Sequence, residues 1–320
     1  RRHPGQPGQG AAVGALAVPY AVLPGDPPAP VTPAAPVTPA SGAVPVSPSP
    51  AASLPPAGPG PTPKFGAGPV DVGGGLVIVV APARNGTLVL NRSKGTYRTV
   101  QFGTVRPAPA GDLAAVVDGQ RVGILNVATG QVRWVTGAKI VSGAPDWSPD
   151  GTRLVYATDG TGPDGIRMAV ADAGTAVAKT VGPDIVCFEQ CAPGWRPNGT
   201  ELTQKDIDAG TIVYSAATGA RTGDTVPGAV PGSRSWSPDG RHVVVAENGR
   251  AAVLDLATGR TVLPLPVDAR VVYWTGVDEL AMVRTGDVAV IGLDGTVRRI
   301  TPLPADVVPD EVTALVLGRP

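Results

Sequence analysis

The chain has 320 residues, a formal net charge of zero and 16% charged residues. That balance offers no electrostatic footprint for nucleic acid and none for a strongly acidic partner. With only 3 Phe and 2 Met against 43 Gly and 37 Pro, the core must be built from Val, Leu, Ala and Ile.

Residues 1–24 join a basic flank, Arg1-Arg2-His3, to the uncharged run "GAAVGALAVPYAVLP" at 10–24. A bilayer span needs about 20 apolar residues, so the run is short, and Pro19 weakens it further. It reads as a secretory hydrophobic region or a single-pass anchor, with a mobile Ala-rich tail as the plain alternative. Residues 25–69 are dominated by Pro and Ala, as in "DPPAPVTPAAPVTPASGAVPVSPSP". Such a segment has few apolar side chains to bury, and it is expected to be a disordered, extended linker that acts as a spacer.

From residue 70 the composition changes and a period emerges. Apolar runs begin at Leu76, Leu113, Leu154, Leu202, Val243 and Leu280, spaced 37 to 48 residues apart. Upstream of four of them stand Trp147 ("WSPDGTRL"), Trp195 ("WRPNGTEL"), Trp236 ("WSPDGRHV") and Trp274 ("WTGVDEL"). In "RPAPAGDL", Arg106 stands where the tryptophan is expected. A second series keeps step: glycines 95, 130, 174, 219, 259 and 295 each close a further apolar run. Two markers in phase across six units establish a repeat.

Each unit holds short Val-, Leu- and Thr-rich runs bounded by Gly, Pro, Asp and Asn, the signature of strands joined by tight turns. In Pro149-Asp150-Gly151 and Pro238-Asp239-Gly240, proline presets φ, aspartate bonds the neighbouring backbone and glycine supplies a positive φ. The tryptophan before each turn is expected to pack between neighbouring sheets. About four strands in roughly 40 residues is the size of one propeller blade. The fold expected over 70–320 is therefore an all-β propeller of six blades. Seven remain open if the 180–200 region hides an extra element. A last strand in "EVTALVLG" (311–318) is expected to pair with the first blade and close the ring, leaving no open sheet edge.

The phrases "DWSPDGTRLVYAT" and "SWSPDGRHVVVAE" resemble the repeats of TolB-like, WD-repeat-like propellers over residues 70–318, with the pattern degraded around Trp195 and Trp274. The order of basic cluster, apolar run, Pro-rich spacer and domain resembles anchored extracytoplasmic proteins common in actinobacteria. The propeller resemblance implies docking more than chemistry. Related repeats also cap prolyl-type peptidases, but no Gly-x-Ser-x-Gly occurs in this sequence. The stretch "VGILNVATGQVRW" (122–134) looks like the tryptophan-docking repeat of pyrroloquinoline-quinone enzymes. Trp134 is its single tryptophan, so no cofactor is implied.

Residues able to do chemistry are sparse. His3 lies in the tail and His242 follows "SPDGR" with no triad partner nearby, so no catalytic residue is assigned. Cys187 and Cys191 lack two further ligands for zinc; they are expected to form a small disulfide-closed loop if exported, or to be two buried thiols. Asp159 and Asp164 in "DGTGPDG" lack the carboxylate set of a calcium loop and fit an elongated hairpin. Arg298 and Arg299 read as solvated surface, and the sequons at Asn85, Asn91 and Asn198 read as turns. No metal is expected.

Two functions follow. The first is a monomeric, non-enzymatic docking propeller, secreted or membrane-anchored, whose loops contact a protein or a cell-envelope ligand. The second is a small-ligand-binding or hydrolytic propeller that uses its central channel. It requires Asp, Glu, His or Arg side chains converging there from several blades, and no such set is apparent at equivalent repeat positions.

Overall fold

Runs such as "LVIVVAPA" and "RLVYATD" are too β-branched and too closely punctuated by turn residues to hold helices, and every one of them is extended backbone. A computed structural model describes residues 64–66, 68–162, 165–186, 192–206, 210–247, 250–307 and 314–320. The tail, most of the Pro-rich segment, Cys187, Cys191 and Asp164 lie outside them.

The strands form six antiparallel sheets, the six blades of a propeller. From the axis outward, blade 2 is Thr104–Pro107, Leu113–Asp118, Arg121–Asn126 and Val132–Trp134. Blade 3 is Ser142–Trp147, Arg153–Asp159, Gly165–Asp172 and Val177–Val186. Blade 4 is Gly194–Trp195, Glu201–Asp206, Gly210–Ser215 and Arg221–Val226, and blade 6 is Val271–Trp274, Glu279–Val283, Asp287–Gly292 and Val297–Pro302. Blade 5 has three strands, His242–Glu247, Arg250–Asp255 and Arg260–Pro264. Its inner position is taken by a 3₁₀ turn, Ser233–Ser235, and two bridges, Ala229 to Ala246 and Trp236 to Val243.

Blade 1 shows how the ring closes. Its own strands are Leu76–Ala83, Gly86–Asn91 and Thr96–Val100, with a short extra hairpin through Asp71–Gly73. The innermost place is filled by Val316–Gly318 from the far end of the repeat region, with Leu317 opposite Ile78. The last strand therefore joins the first blade, as the sequence suggested, and an edge that would template aggregation is covered.

Apolar clusters lie between neighbouring sheets. Trp147, Leu154 and Tyr156 of blade 3 pack on Ala115, Val122 and Ile124 of blade 2. Trp195 and Leu202 pack on Val155 and Met168, and Trp236 and Val243 on Val226 and Val230. Each of these tryptophans is wedged against the preceding blade, with exposures of 3%, 0% and 3%. Emptying such a position costs about 3–5 kcal/mol.

The observed register corrects two sequence alignments. Leu113 opposes Asn126 as Arg153 opposes Asp172. Asn126 and Asp172 do the same job, each accepting from the backbone N–H three residues on, Thr129 at 3.0 Å and Thr175 at 2.7 Å. Ala114, not Leu113, is thus the counterpart of Leu154, and Pro107, not Arg106, stands at the tryptophan position. In the first blade Leu76 opposes Gly73, inside the extra hairpin. The second correction concerns the glycine series. Gly130, Gly219 and Gly259 take positive φ and donate to the residue four before. In blade 3 that place belongs to Ala176, at φ 57° with its N–H 2.9 Å from the Asp172 carbonyl, and Gly174 is not among the left-handed residues.

Candidate functional site

The turns between first and second strands gather on one face of the ring. Ser148 donates its N–H to the Arg153 carbonyl at 2.9 Å, and Gly151, at φ 70°, donates to the Ser148 carbonyl at 2.8 Å. Ser148 Oγ donates to Asp150 Oδ1 at 2.5 Å, and that oxygen also accepts from Thr152 N at 3.0 Å. These donors, the Ser148 hydroxyl first, hold the Asp150 carboxyl down to about 2. Ser237 and Asp239 repeat the arrangement at 2.7 Å, with Arg241 N as the second donor, and the Asp239 carboxyl is likewise lowered. Gly240 matches Gly151 at φ 70°. Pro149, Asp150, Pro238 and Asp239 therefore lie in the turns between first and second strands.

The tryptophans divide into two pairs. Trp147 Nε1 donates to the Arg106 carbonyl at 2.8 Å and Trp274 Nε1 to the Ser235 carbonyl at 2.9 Å, each time tying a blade to the one before. Trp195 Nε1 and Trp236 Nε1 are buried without a partner. These two are the ones roofed by a guanidinium: Arg153 lies 4.6 Å from the Trp195 ring and Arg196 lies 5.1 Å from the Trp236 ring. Cation–π attraction of about 0.5–2 kcal/mol stands in for the missing bond. His242 stacks on Trp274 at 6.0 Å and faces Asp255 at 3.7 Å, a structural placement.

The corrected register reveals a second row. The residue before each tryptophan position is Arg106 in blade 2, Asp146 in blade 3, Gly194 in blade 4, Ser235 in blade 5 and Tyr273 in blade 6. Within this row and the adjoining 3₁₀ turn, polar groups meet across the axis. Asp146 Oδ2 accepts from Ser233 N and Oδ1 from Ser233 Oγ, both at 2.8 Å, although the residues are 87 apart in sequence. Trp147 N donates to Asp146 Oδ1 at 3.1 Å. Blade 4 leaves room for this crossing because it contributes Gly194: a Cβ there would lie 2.9 Å from the Gly232 Cα.

Arg234, next in the same turn, lies 5.5 Å from the centre of the Tyr273 ring, and Tyr273 donates its hydroxyl to the Leu315 carbonyl at 2.8 Å. Arg106 feels Arg234, Tyr273 and Asp146. Burial, then the Arg234 charge, lowers its pKa, opposed by Tyr273 and Asp146. Among the described residues neither Arg106 nor Arg234 makes a side-chain hydrogen bond or ion pair. Arg92 flanks them: it donates Nε to the Arg319 carbonyl at 2.9 Å and Nη1 to the Gly111 carbonyl at 2.7 Å. Burial lowers its pKa, and Arg234 adds to that effect.

Asp146 and Ser233 thus meet from blades 3 and 5, and Arg234 lies beside Tyr273 of blade 6. Sequence reading missed Asp146, Ser233 and Arg234 and misplaced Arg106 by one residue; the residue preceding each tryptophan was the signal. Among the described residues, no three His, Cys, Asp or Glu side chains are placed to hold a metal ion, and no helix is long and apolar enough to cross a membrane. Asp159 pairs with Lys139 at 3.0 Å, Arg298 with Glu279 at 3.0 Å and Arg299 with Asp71 at 3.1 Å, all on the outer surface.

No protein-family model matches the chain, and no curated protein matches it. Among solved structures it is similar to TolB from Acinetobacter baumannii, with a TM-score of 0.51 and 16% identity, over 71% of this chain and 63% of that one. The chain thus spans less than two thirds of that TolB. A hydrazine synthase from Kuenenia stuttgartiensis aligns with a TM-score of 0.41 and 16% identity, over 63% of this chain and 65% of that one. The fold is TolB-like.

Proposed function

We propose that the propeller is a non-enzymatic docking module that works outside the cytoplasm, held away from a membrane by the Pro-rich segment. The observation that supports this reading is the face bearing the repeated turns. Its tight turns are fixed by Asp150 and Asp239, each accepting from the backbone N–H two residues on, and the tryptophans beneath them pack blades 3, 4 and 5 on the blade before. Between those fixed points the exposed residue two places before the second-strand partner of each tryptophan differs among blades: Thr152 and Thr200 in blades 3 and 4, Arg241 in blade 5 and Asp278 in blade 6. A rigid frame with a varied rim suits recognition of a protein or cell-envelope ligand, because little entropy is lost on binding.

The test is retention of an envelope component by the immobilised full chain, compared with Thr200→Arg and Val277→Arg. Both residues are exposed on that face, so neither change should alter unfolding. Saturable retention that falls at least about tenfold in the variants supports the reading, since bulky charge at an interface centre is strongly disfavoured. Retention of nothing saturable, or equal retention by all three proteins, overturns it.

A further inference from the structure

We propose that the seam between blades 3 and 4 binds a small zwitterion with an aliphatic side chain, a free amino acid or a short peptide. Its carboxylate would meet Arg221 and Tyr214, and its ammonium would face Asp184 and Asp206. This goes beyond the docking reading and stands whether or not a protein binds the rim.

The seam opens into a cavity of about 560 Å³, within the roughly 300–1,000 Å³ of small-molecule sites. Beside it, Leu202, Ile212 and Tyr214 of blade 4 pack on Met168 and Ile185 of blade 3. The register explains why polar groups join this apolar face. Leu202 opposes Tyr214, Gln204 opposes Ile212 and Tyr214 opposes Arg221. These side chains, with Asp206 two places after Gln204, therefore share the face of blade 4 turned to blade 3. The other wall is a bulge in the outer strand of blade 3. Val181 opposes Met168 and Ile185 opposes Ile166, which leaves Gly182, Pro183 and Asp184 against Arg167 alone. A bulge bends its strand, and this one sets Pro183 and Asp184 across the cavity from Tyr214 and Arg221.

Tyr214 is only 4% exposed, yet among the described residues neither its hydroxyl nor the Arg221 guanidinium has a hydrogen-bond partner or an ion pair. The Tyr214 oxygen is not sealed in protein either, so it faces the cavity. Burial, then the Asp206 charge, raises the phenol pKa against the pull of Arg221, so the hydroxyl keeps its proton and can donate. A phenol O–H beside a guanidinium fork is a donor set for a carboxylate. A simple anion is nevertheless a poor fit. Asp184 and Asp206 outnumber Arg221 in the lining and leave it at a net single negative charge (one arginine minus two aspartates). Asp184 is held in place, its Oδ1 and Oδ2 accepting from Thr161 N at 3.1 and 3.0 Å and from the Thr161 hydroxyl. Arg167 Nε stands 3.8 Å away, too far to bond. A ligand that carries an ammonium as well as a carboxylate answers both charges, and Ile185 and Ile212 offer its side chain an apolar floor.

The experiment uses the full chain at constant ionic strength, titrated by calorimetry and followed by thermal unfolding. The probes are L-leucine, L-leucyl-L-leucine, 4-methylpentanoate, which lacks the ammonium, and isopentylamine, which lacks the carboxylate. Saturable binding of a zwitterion is expected, about tenfold or more tighter than either analogue. It should weaken about tenfold or more in Arg221→Gln and in Tyr214→Phe. Arg250→Gln, at an exposed arginine on the strand Arg250–Asp255 of blade 5, should bind as the parent does. Leucine alone, or the dipeptide alone, supports the site and identifies which source of zwitterion it accepts. If Tyr214→Phe unfolds early, Arg221→Lys keeps the charge without the fork, and its affinity should fall between those of the parent and Arg221→Gln. No saturable binding of either zwitterion, equal binding of an analogue, or binding undiminished in both Arg221→Gln and Tyr214→Phe would overturn the site.

Discussion

The seams between blades and the channel they enclose are built on opposite plans. At the seams of blades 3, 4 and 5 with the blade before, the same solution recurs: a tryptophan closing the inner segment, a Val or Leu opposite it, and an apolar face on the preceding sheet. In the channel nothing recurs. Arginine, aspartate, glycine, serine and tyrosine occupy one equivalent row, and one blade gives up its inner strand for a 3₁₀ turn. Repeated positions carry the stability of a propeller, since each blade must bury its faces against two neighbours. Positions that escape the repeat are free to differ, and here they hold the uncompensated charge.

Substitution at the seams should therefore be costly, and most of all where the wedge is completely enclosed. Trp195 is 0% exposed and packs against Val155, Met168, Leu202 and Tyr214. Trp195→Ala should lose about 3–5 kcal/mol, read from the denaturant midpoint at unchanged slope. A loss below about 1 kcal/mol would mean that the ring does not depend on this wedge, and the contrast between seam and channel would fail.

A finer comparison lies within the seams. Trp147 donates to the Arg106 carbonyl whereas the indole N–H of Trp195 is buried without an acceptor. Phenylalanine removes a made bond in one case and an unmet polar group in the other. Trp147→Phe should then cost about 1–3 kcal/mol more than Trp195→Phe, the usual penalty for stranding a buried partner. Equal costs would show that the two tryptophans are held alike, with the guanidinium above Trp195 contributing as much as a hydrogen bond.

How much of this was legible in the sequence follows from the same contrast. The blades could be read because Pro149-Asp150-Gly151 and Pro238-Asp239-Gly240 each impose a turn locally, whatever surrounds them. Ring closure by Val316–Gly318 was readable because an unpaired inner strand has one vacant partner, the first blade. The channel was not. Arg106 looked like a degenerate tryptophan because "RPAPAGDL" can be aligned to "WSPDGTRL" with Arg over Trp, and only the pairing of Leu113 with Asn126 shifts it by one. Slipping a strand by one residue exchanges its two faces, so this small error moved Arg106 from the axis to a seam. Ser233 and Arg234 lie on no strand, and no periodicity could have marked them. Ala176 shows the same limit on a smaller scale: its left-handed φ is a property of the turn in blade 3, and no glycine marks it.

The smallest effect belongs to the turn aspartates, where acid should distinguish the rim from the channel. Asp150 sits at about 2 in the folded chain against an ordinary 3.8, and Asp239 is shifted in the same direction. A carboxyl lowered by folding stabilises the fold in full above its unfolded pKa, and that contribution fades as pH falls from 3.8 through about 2. Both side chains are exposed, so screening by water keeps each contribution below about 1 kcal/mol. Urea midpoints measured from pH 5 down to 2 should fall less steeply in Asp150→Asn and Asp239→Asn than in the parent, and the double variant should add the two effects because the turns belong to different blades. An arginine does not titrate in that range, so Arg106→Gln should leave the slope as it is. Parallel curves for the parent and the aspartate variants would show that the serine hydroxyls above Asp150 and Asp239 bond the neutral acid as well as the carboxylate, and that the rim is held by its backbone turns alone.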